Sequence, residues 1–133
     1  MSQENVEIVR RYLAAYDSGG LDAVAEFWHP DIEWRAVEGY IDDVGVMRGP
    51  DAMRQYYRQW EETFDAGRTE IEELIEAGDQ VIALLRGVGR MKQSDAEIDI
   101  RYAVLISIRD GKIARGREYS TYQEALKAAG LRE

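Results

Sequence analysis

The stretch Ile98-Asp99-Ile100-Arg101-Tyr102-Ala103-Val104-Leu105-Ile106-Ser107, followed by Ile108-Arg109-Asp110-Gly111-Lys112 and Ile113-Ala114-Arg115-Gly116-Arg117-Glu118-Tyr119-Ser120, decides the fold. Its first part alternates. Ile98, Ile100, Tyr102, Val104 and Ile106 point one way, and Asp99, Arg101, Ala103, Leu105 and Ser107 the other. That is a strand with one face meant for a core. Asp110-Gly111 is a tight hairpin signal, and Ile113 to Ser120 is the return strand. The return strand carries one acid, Glu118. Turn geometry decides where that acid points. In a two-residue loop Arg109 faces Lys112, and Arg115, Arg117 and Tyr119 join the apolar face. In a three-residue loop with Gly111 left-handed in a bulge, Ile108 faces Lys112, Val104 faces Gly116 and Tyr102 faces Glu118. Burying two unpaired cations costs more than burying one carboxyl that can take up a proton, so the bulged turn is expected.

Outward from this hairpin, a first helix runs from about Gln3 to Tyr16 with a stripe of Val6, Val9, Leu13 and Tyr16. Asp17-Ser18-Gly19-Gly20 breaks it. A second short helix with Leu21, Val24, Phe27 and Trp28 ends at His29-Pro30-Asp31. Ile32 to Val37 reads as a strand and Glu38 to Arg48 as a loop. Pro50 suits the first turn of a third helix, whose stripe is Met53, Tyr56, Tyr57, Trp60 and Phe64. Strands near Thr69 to Ala77 and Gln80 to Met91 are split by Gly78-Asp79. Lys92 to Glu97 is a polar turn, and Tyr122 to Ala129 a closing helix. Helices first and a meander of strands after them make an α+β chain. In the strand from Val81, Val81, Ala83 and Leu85 lie on one face and Ile82, Leu84 and Val88 on the other. Both faces look covered, one by helices and the other, with Ala103 and Leu105, by a second copy of the chain.

Composition bounds the function. At 133 residues the chain is expected to be one domain, spanning 1–133. A hydrophobic content of 45% and a charged content of 32% suit a globular protein with a real core. No apolar run reaches the roughly 18 residues of a membrane span, and the N-terminus lacks the pattern of a signal peptide, so a cytoplasmic protein is expected. There is no cysteine, which excludes disulfides, thiol catalysis and thiolate metal sites. A formal net charge of −9 disfavours nucleic-acid and anionic-membrane partners. His29 is the one histidine and reads as a capping or surface residue, so no histidine metal cluster or Ser-His-Asp triad is available. Asp42-Asp43 reads as a solvated pair rather than a metal site. Gly87 and Gly89 lie inside a strand, where they let the sheet bend rather than cradle a phosphate. No cofactor is expected.

The order of these segments resembles the nuclear-transport-factor-2-like superfamily, and within it the SnoaL-like proteins. The resemblance is carried by Ile8-Val9-Arg10-Arg11-Tyr12-Leu13-Ala14-Ala15-Tyr16, Gly20-Leu21-Asp22-Ala23-Val24, His29-Pro30-Asp31-Ile32-Glu33-Trp34, Arg48-Gly49-Pro50, Arg109-Asp110-Gly111-Lys112-Ile113 and Glu124-Ala125-Leu126-Lys127-Ala128-Ala129-Gly130-Leu131. It implies a curved antiparallel or mixed sheet wrapped as a cone around N-terminal helices. It also implies an apolar pocket in the mouth and a homodimer through the sheet. The superfamily holds isomerases, cyclases, epoxide hydrolases, dehydratases and members that only bind, so fold alone does not assign an activity. Tyr12 matches the place of the isomerases' tyrosine. Ala36 and Val104 stand where their carboxylate base and second acid would be. Tyr102 and Val104 stand where the epoxide hydrolases need Arg and Asp. Glu118 falls near the last-strand acid of those hydrolases.

Glu118 is therefore the candidate acid or base, with Tyr102 and Tyr12 as hydroxyl partners. A carboxyl in an apolar pocket is expected to have its pKa raised toward neutrality; the plainer reading is a buried Glu118–Tyr102 hydrogen bond. Trp28, Trp34, Tyr56 and Trp60 converge as a wall for a flat or apolar ligand, or as ordinary core. Tyr16, Val104 and Gly116 are counted with the wall. The expected ligand is a small apolar or aromatic carbonyl compound undergoing isomerisation, cyclisation or dehydration without a cofactor. The alternative is a ligand-binding or dimerisation module of the same fold.

Overall fold

The protein is described by a computed structural model covering residues 2–37 and 45–131. Helix α1 (Ser2–Ala25) opens the chain and bends at Gly20, whose φ of 70° and ψ of −160° are not helical. Strand β1 (Trp28–Arg35) and the short β2 (Val46–Arg48) follow, then helix α2 (Gly49–Thr63). The rest is β3 (Phe64–Ala77), β4 (Gln80–Met91), β5 (Glu97–Arg109), β6 (Lys112–Tyr119) and helix α3 (Tyr122–Ala128). Among the described residues, six strands form one sheet in the order β2-β1-β6-β5-β4-β3. β3 to β6 are an antiparallel meander, and β1 pairs parallel with β6. This is the mixed, curved sheet of an α+β cone.

The boundaries differ from the sequence reading around Trp28. The helical turns after Gly20 end at Ala25, and Trp28 and His29 open β1 instead of closing a helix. The cause is pairing: the Ile113 N–H donates to the Phe27 carbonyl at 2.8 Å, and Trp28 faces Ile113 across the parallel ladder. Sheet pairing overrides the helical spacing of Val24, Phe27 and Trp28. Pro30 is tolerated because the β1–β6 register slips between Trp28 and Glu33, where no ladder bond needs its missing N–H. His29 is thus a strand residue, not a helix cap. Its Nδ1 accepts the Asp31 backbone N–H at 3.0 Å. The expected loop from Glu38 yields β2 at Val46–Arg48; Glu38 to Val44, with Asp42-Asp43, lies outside the described residues.

The hairpin between β5 and β6 also differs. Asp110 and Gly111 both have positive φ, 56° and 73°, and Arg109 pairs with Lys112. That is a two-residue type I′ turn, not the expected three-residue bulged one. A register shift then occurs between Ser107 and Ile108, with Ala114 as the extra residue. Beyond it, Ser107 faces Arg115, Ile106 faces Gly116 and Val104 faces Glu118. Glu118 still shares the face of Val104 and Tyr102, while Arg117 is exposed.

Two apolar clusters hold the fold. The larger joins α1, α2 and the inner sheet face through Val9, Tyr12, Ile32, Met53, Leu85 and Ile106. The smaller lies on the outer face. Ile82, Leu84 and Ala103 are buried there against Ala125, with Leu126, Leu131 and Tyr122 packed alongside. On this face, for which a second copy of the chain is expected, α3 of the same chain packs against Ile82, Leu84 and Ala103. Thr121 caps α3 by accepting the Glu124 N–H at 3.1 Å. Gly130, at φ 81°, ends the element, and Leu131 N–H closes back on the Leu126 carbonyl at 2.8 Å.

Candidate functional site

A cavity of about 390 Å³ opens between α1, α2 and the inner face of the sheet. Eight aromatic side chains line it. Met53, Tyr56, Tyr57 and Trp60 of the α2 stripe face into it, and Phe64, the expected last residue of that stripe, does so from the start of β3. A stripe at helical spacing is here a pocket wall as much as core. Tyr12, Tyr16, Trp34, Tyr56, Trp60, Tyr102, Val104 and Glu118 all line this cavity, so most of the expected residues are brought together. Trp28 and Gly116 do not line it. Trp28 is buried behind Tyr12, and Gly116 lies beneath the Trp34 ring.

Glu118, half-buried, lines this wall together with Asp17. Trp34 Nε1 donates to the Glu118 Oε2 at 2.8 Å. The expected cross-strand partner, Tyr102, is displaced by the bulge at Ala114, and Val104 sits directly opposite. Tyr102 remains on the same face and lines the same space. The hydroxyls come from two helices. Tyr12 is buried in α1 and accepts a hydrogen bond from Trp28 Nε1 at 3.3 Å. It also hydrogen-bonds Tyr57 of α2. Burial pushes the Tyr12 hydroxyl up to about 12, and the nearby Glu118 carboxylate adds to that rise. Tyr57 is raised by the same burial, then by Tyr12, Tyr102 and Glu118. Both phenols are therefore neutral donors near pH 7. At the rim, Tyr16 donates to the Glu61 carboxylate; desolvation first and then Glu61 raise it to about 12.

Tyr57 was legible as a stripe residue but not as a partner of Tyr12, since that contact joins two helices far apart in sequence. The glycines were also underread. Gly67, Gly87 and Gly89 line the cavity, and a Cβ on Gly87 would stand 3.3 Å from the Tyr102 ring. Their missing side chains make room. Among the described residues, no group of three or more His, Asp or Glu is placed to hold a metal ion, and no helix is long and apolar enough to cross a membrane.

A curved sheet with a pocket between its inner face and the helices defines the class of the nuclear-transport-factor-2-like fold. Residues 9–116 match the SnoaL-like domain family, and the chain belongs to that family. An uncharacterized protein of Mycobacterium tuberculosis is 30% identical over 117 residues, spanning 86% of this chain and 87% of its own. A nuclear-transport-factor-2-like protein of Burkholderia thailandensis superposes with a TM-score of 0.80 at 24% identity, over 95% of this chain and 96% of that one. A protein of Catenulispora acidiphila with a ketosteroid-isomerase-like fold, solved in complex with trimethylamine, gives a TM-score of 0.74 at 20% identity over 94% and 93% of the two chains. At such identities the structures share the fold.

Proposed function

We propose that the cavity binds a small apolar or aromatic carbonyl compound and that Glu118 moves a proton on it. The observation that carries this reading is that Glu118 alone of the two lining acids, Asp17 being the other, is held by an indole N–H, at 2.8 Å, in a wall dominated by aromatic rings. The ionised carboxylate takes a proton from the carbon next to the carbonyl. The electron pair moves onto the carbonyl oxygen, which accepts a hydrogen bond from a tyrosine hydroxyl. Tyr12, whose oxygen accepts from Trp28 and which lines the cavity, is the candidate for that role. Return of the proton to a different atom isomerises the compound; attack of the enolate carbon on a second carbonyl of the same molecule, whose oxygen then takes the proton from Glu118, cyclises it. A neutral phenol with a pKa near 12 keeps its proton while it donates.

The test is hydrogen exchange on 2-tetralone in deuterated water, followed by proton NMR, with binding measured alongside. Wild-type protein should bind the ketone and speed exchange next to its carbonyl. Glu118→Gln should still bind but lose on the order of 100-fold or more of the catalysed exchange. Equal exchange by both proteins would refute Glu118 as the base.

A second reading has its own observation. Ala36 and Val104, where the isomerases' acids would stand, are 1% and 2% exposed and apolar. On that reading the pocket binds without turnover. Its rings, with Asp17 and Glu118 as the lining acids, suit a small cationic amine such as the trimethylamine held by the Catenulispora protein. Binding of trimethylammonium with no exchange of 2-tetralone would favour it.

A further inference from the structure

We propose that Gly116 and Trp34 are a positioning pair for Glu118: the glycine seats the indole, and the indole N–H fixes the carboxylate at the cavity. This rests on the reading of Glu118 as the working acid of the cavity. Neither residue needs to touch a ligand to fill the role.

The geometry is specific. Trp34 of β1 and Gly116 of β6 face each other across the parallel pair. Gly116 and Glu118 are two apart on one strand, so they share the inner face. The indole lies over the glycine and reaches along β6 to the acid. A Cβ on Gly116 would stand 2.3 Å from Cε3 and Cζ3 of Trp34 and 2.7 Å from Cδ2. Those atoms are ring carbons held in place, not a flexible tip. Trp34 is 6% exposed, and Tyr12 meets it edge-on at 6.2 Å between centroids. The ring therefore has little room to tilt. Any side chain at 116 lifts it from the sheet and draws Nε1 away from Oε2.

An indole N–H only donates, so it favours the ionised carboxylate and holds one oxygen in a fixed direction. The cavity wall also carries the phenols Tyr12 from α1, Tyr57 from α2 and Tyr102 from β5, with Asp17 of α1 and Arg68 of β3 as its further charged groups. Arg115 and Arg117 flank the acid along β6 but lie on its exposed side. The Trp34 N–H is a neutral donor, and replacing it removes that one bond while the charged groups around Glu118 stay in place.

The experiment is a carboxyl carbon-13 NMR titration of glutamate-labelled protein, with Glu118→Gln assigning the Glu118 resonance. Trp34→Phe keeps an aromatic ring and removes the donor. It should raise the Glu118 midpoint by about one pH unit while the far-ultraviolet circular dichroism stays native. Gly116→Ala should raise it in the same direction and move the Trp34 indole proton away from its hydrogen-bonded position. An unchanged midpoint in Trp34→Phe overturns the proposal. So does a Gly116→Ala protein with the wild-type indole shift and midpoint. If Gly116→Ala fails to fold, Trp34→Phe decides alone. Failure of the tetralone exchange leaves this titration intact, so loss of the enzyme reading and loss of the positioning pair are separate results.

Discussion

Leu84→Ala tests whether α3 or a second copy of the chain covers the outer sheet face. Leu84 lies on β4, is 6% exposed, and sits in the cluster with Ile82, Ala103 and Ala125. The substitution removes three carbon groups, worth roughly 0.8 kcal/mol each on burial, so the transfer loss is about 2.4 kcal/mol. A residual cavity would add to this, but α3 is a single short helix and can settle inward. The expected loss is about 2.5 kcal/mol. With a urea slope of about 1.5 kcal/mol per molar, the midpoint should fall by roughly 1.7 M with the slope unchanged.

Far-ultraviolet circular dichroism is the primary reading. Tryptophan fluorescence reports the other side of the sheet, because Trp28 and Trp34 belong to the inner cluster. The two probes should coincide if unfolding is two-state. Combining Leu84→Ala with Leu126→Ala should show coupling of about 0.5–1 kcal/mol, because both side chains pack in one cluster. Protein concentration separates the two covers. A face covered by α3 gives a midpoint independent of concentration. A face covered by a second copy adds about 1.4 kcal/mol of dimer stability per tenfold rise in protein. A cost under about 0.5 kcal/mol for Leu84→Ala, with a midpoint that climbs with concentration, would refute the α3 cover and favour a sheet dimer.

Two further outcomes are expected. Tyr12 has its pKa raised from 10.0 to about 12 in the folded protein, so its contribution is fully present below pH 10 and is lost as pH rises through the folded value. Stability should therefore fall by about 1.4 kcal/mol per pH unit above pH 10 on account of this group, a slope that urea midpoints should show reduced in Tyr12→Phe. Gly111→Ala forces a side chain onto a φ of 73° in the type I′ turn and should cost about 1 kcal/mol, read as a lower thermal midpoint with Glu118 still on the inner face.

The sequence showed which way the residues of β5 and β6 face better than it showed what they face. The alternation from Ile98 to Ser107 needed no tertiary information, and its inner face is the one seen. Glu118 was placed inside by weighing one carboxyl against two arginines, and it is inside, but by another route. The turn is one residue shorter than expected, and the bulge at Ala114 inserts one residue on the return strand. The combined slip is even, so the face is kept while the partner moves from Tyr102 to Val104. Burial energy penalises an odd slip, because it would turn every side chain over. It is nearly blind to an even one, which exchanges one inward neighbour for another. For the same reason the Trp34–Glu118 bond left no local trace: its partners are 84 residues apart and meet only because β1 pairs parallel with β6. The closing helix was legible as a helix from Tyr122 to Ala129, but its position on the sheet was not. Where the helix docks depends on the long outer face of β4 and β5, with the Tyr122 hydroxyl on Glu72 of β3 at 2.6 Å fixing its near end. Apolar pattern thus constrains faces, while the chemistry of the site depends on partners, and partners are set by bulges and long-range pairing that pattern alone does not encode.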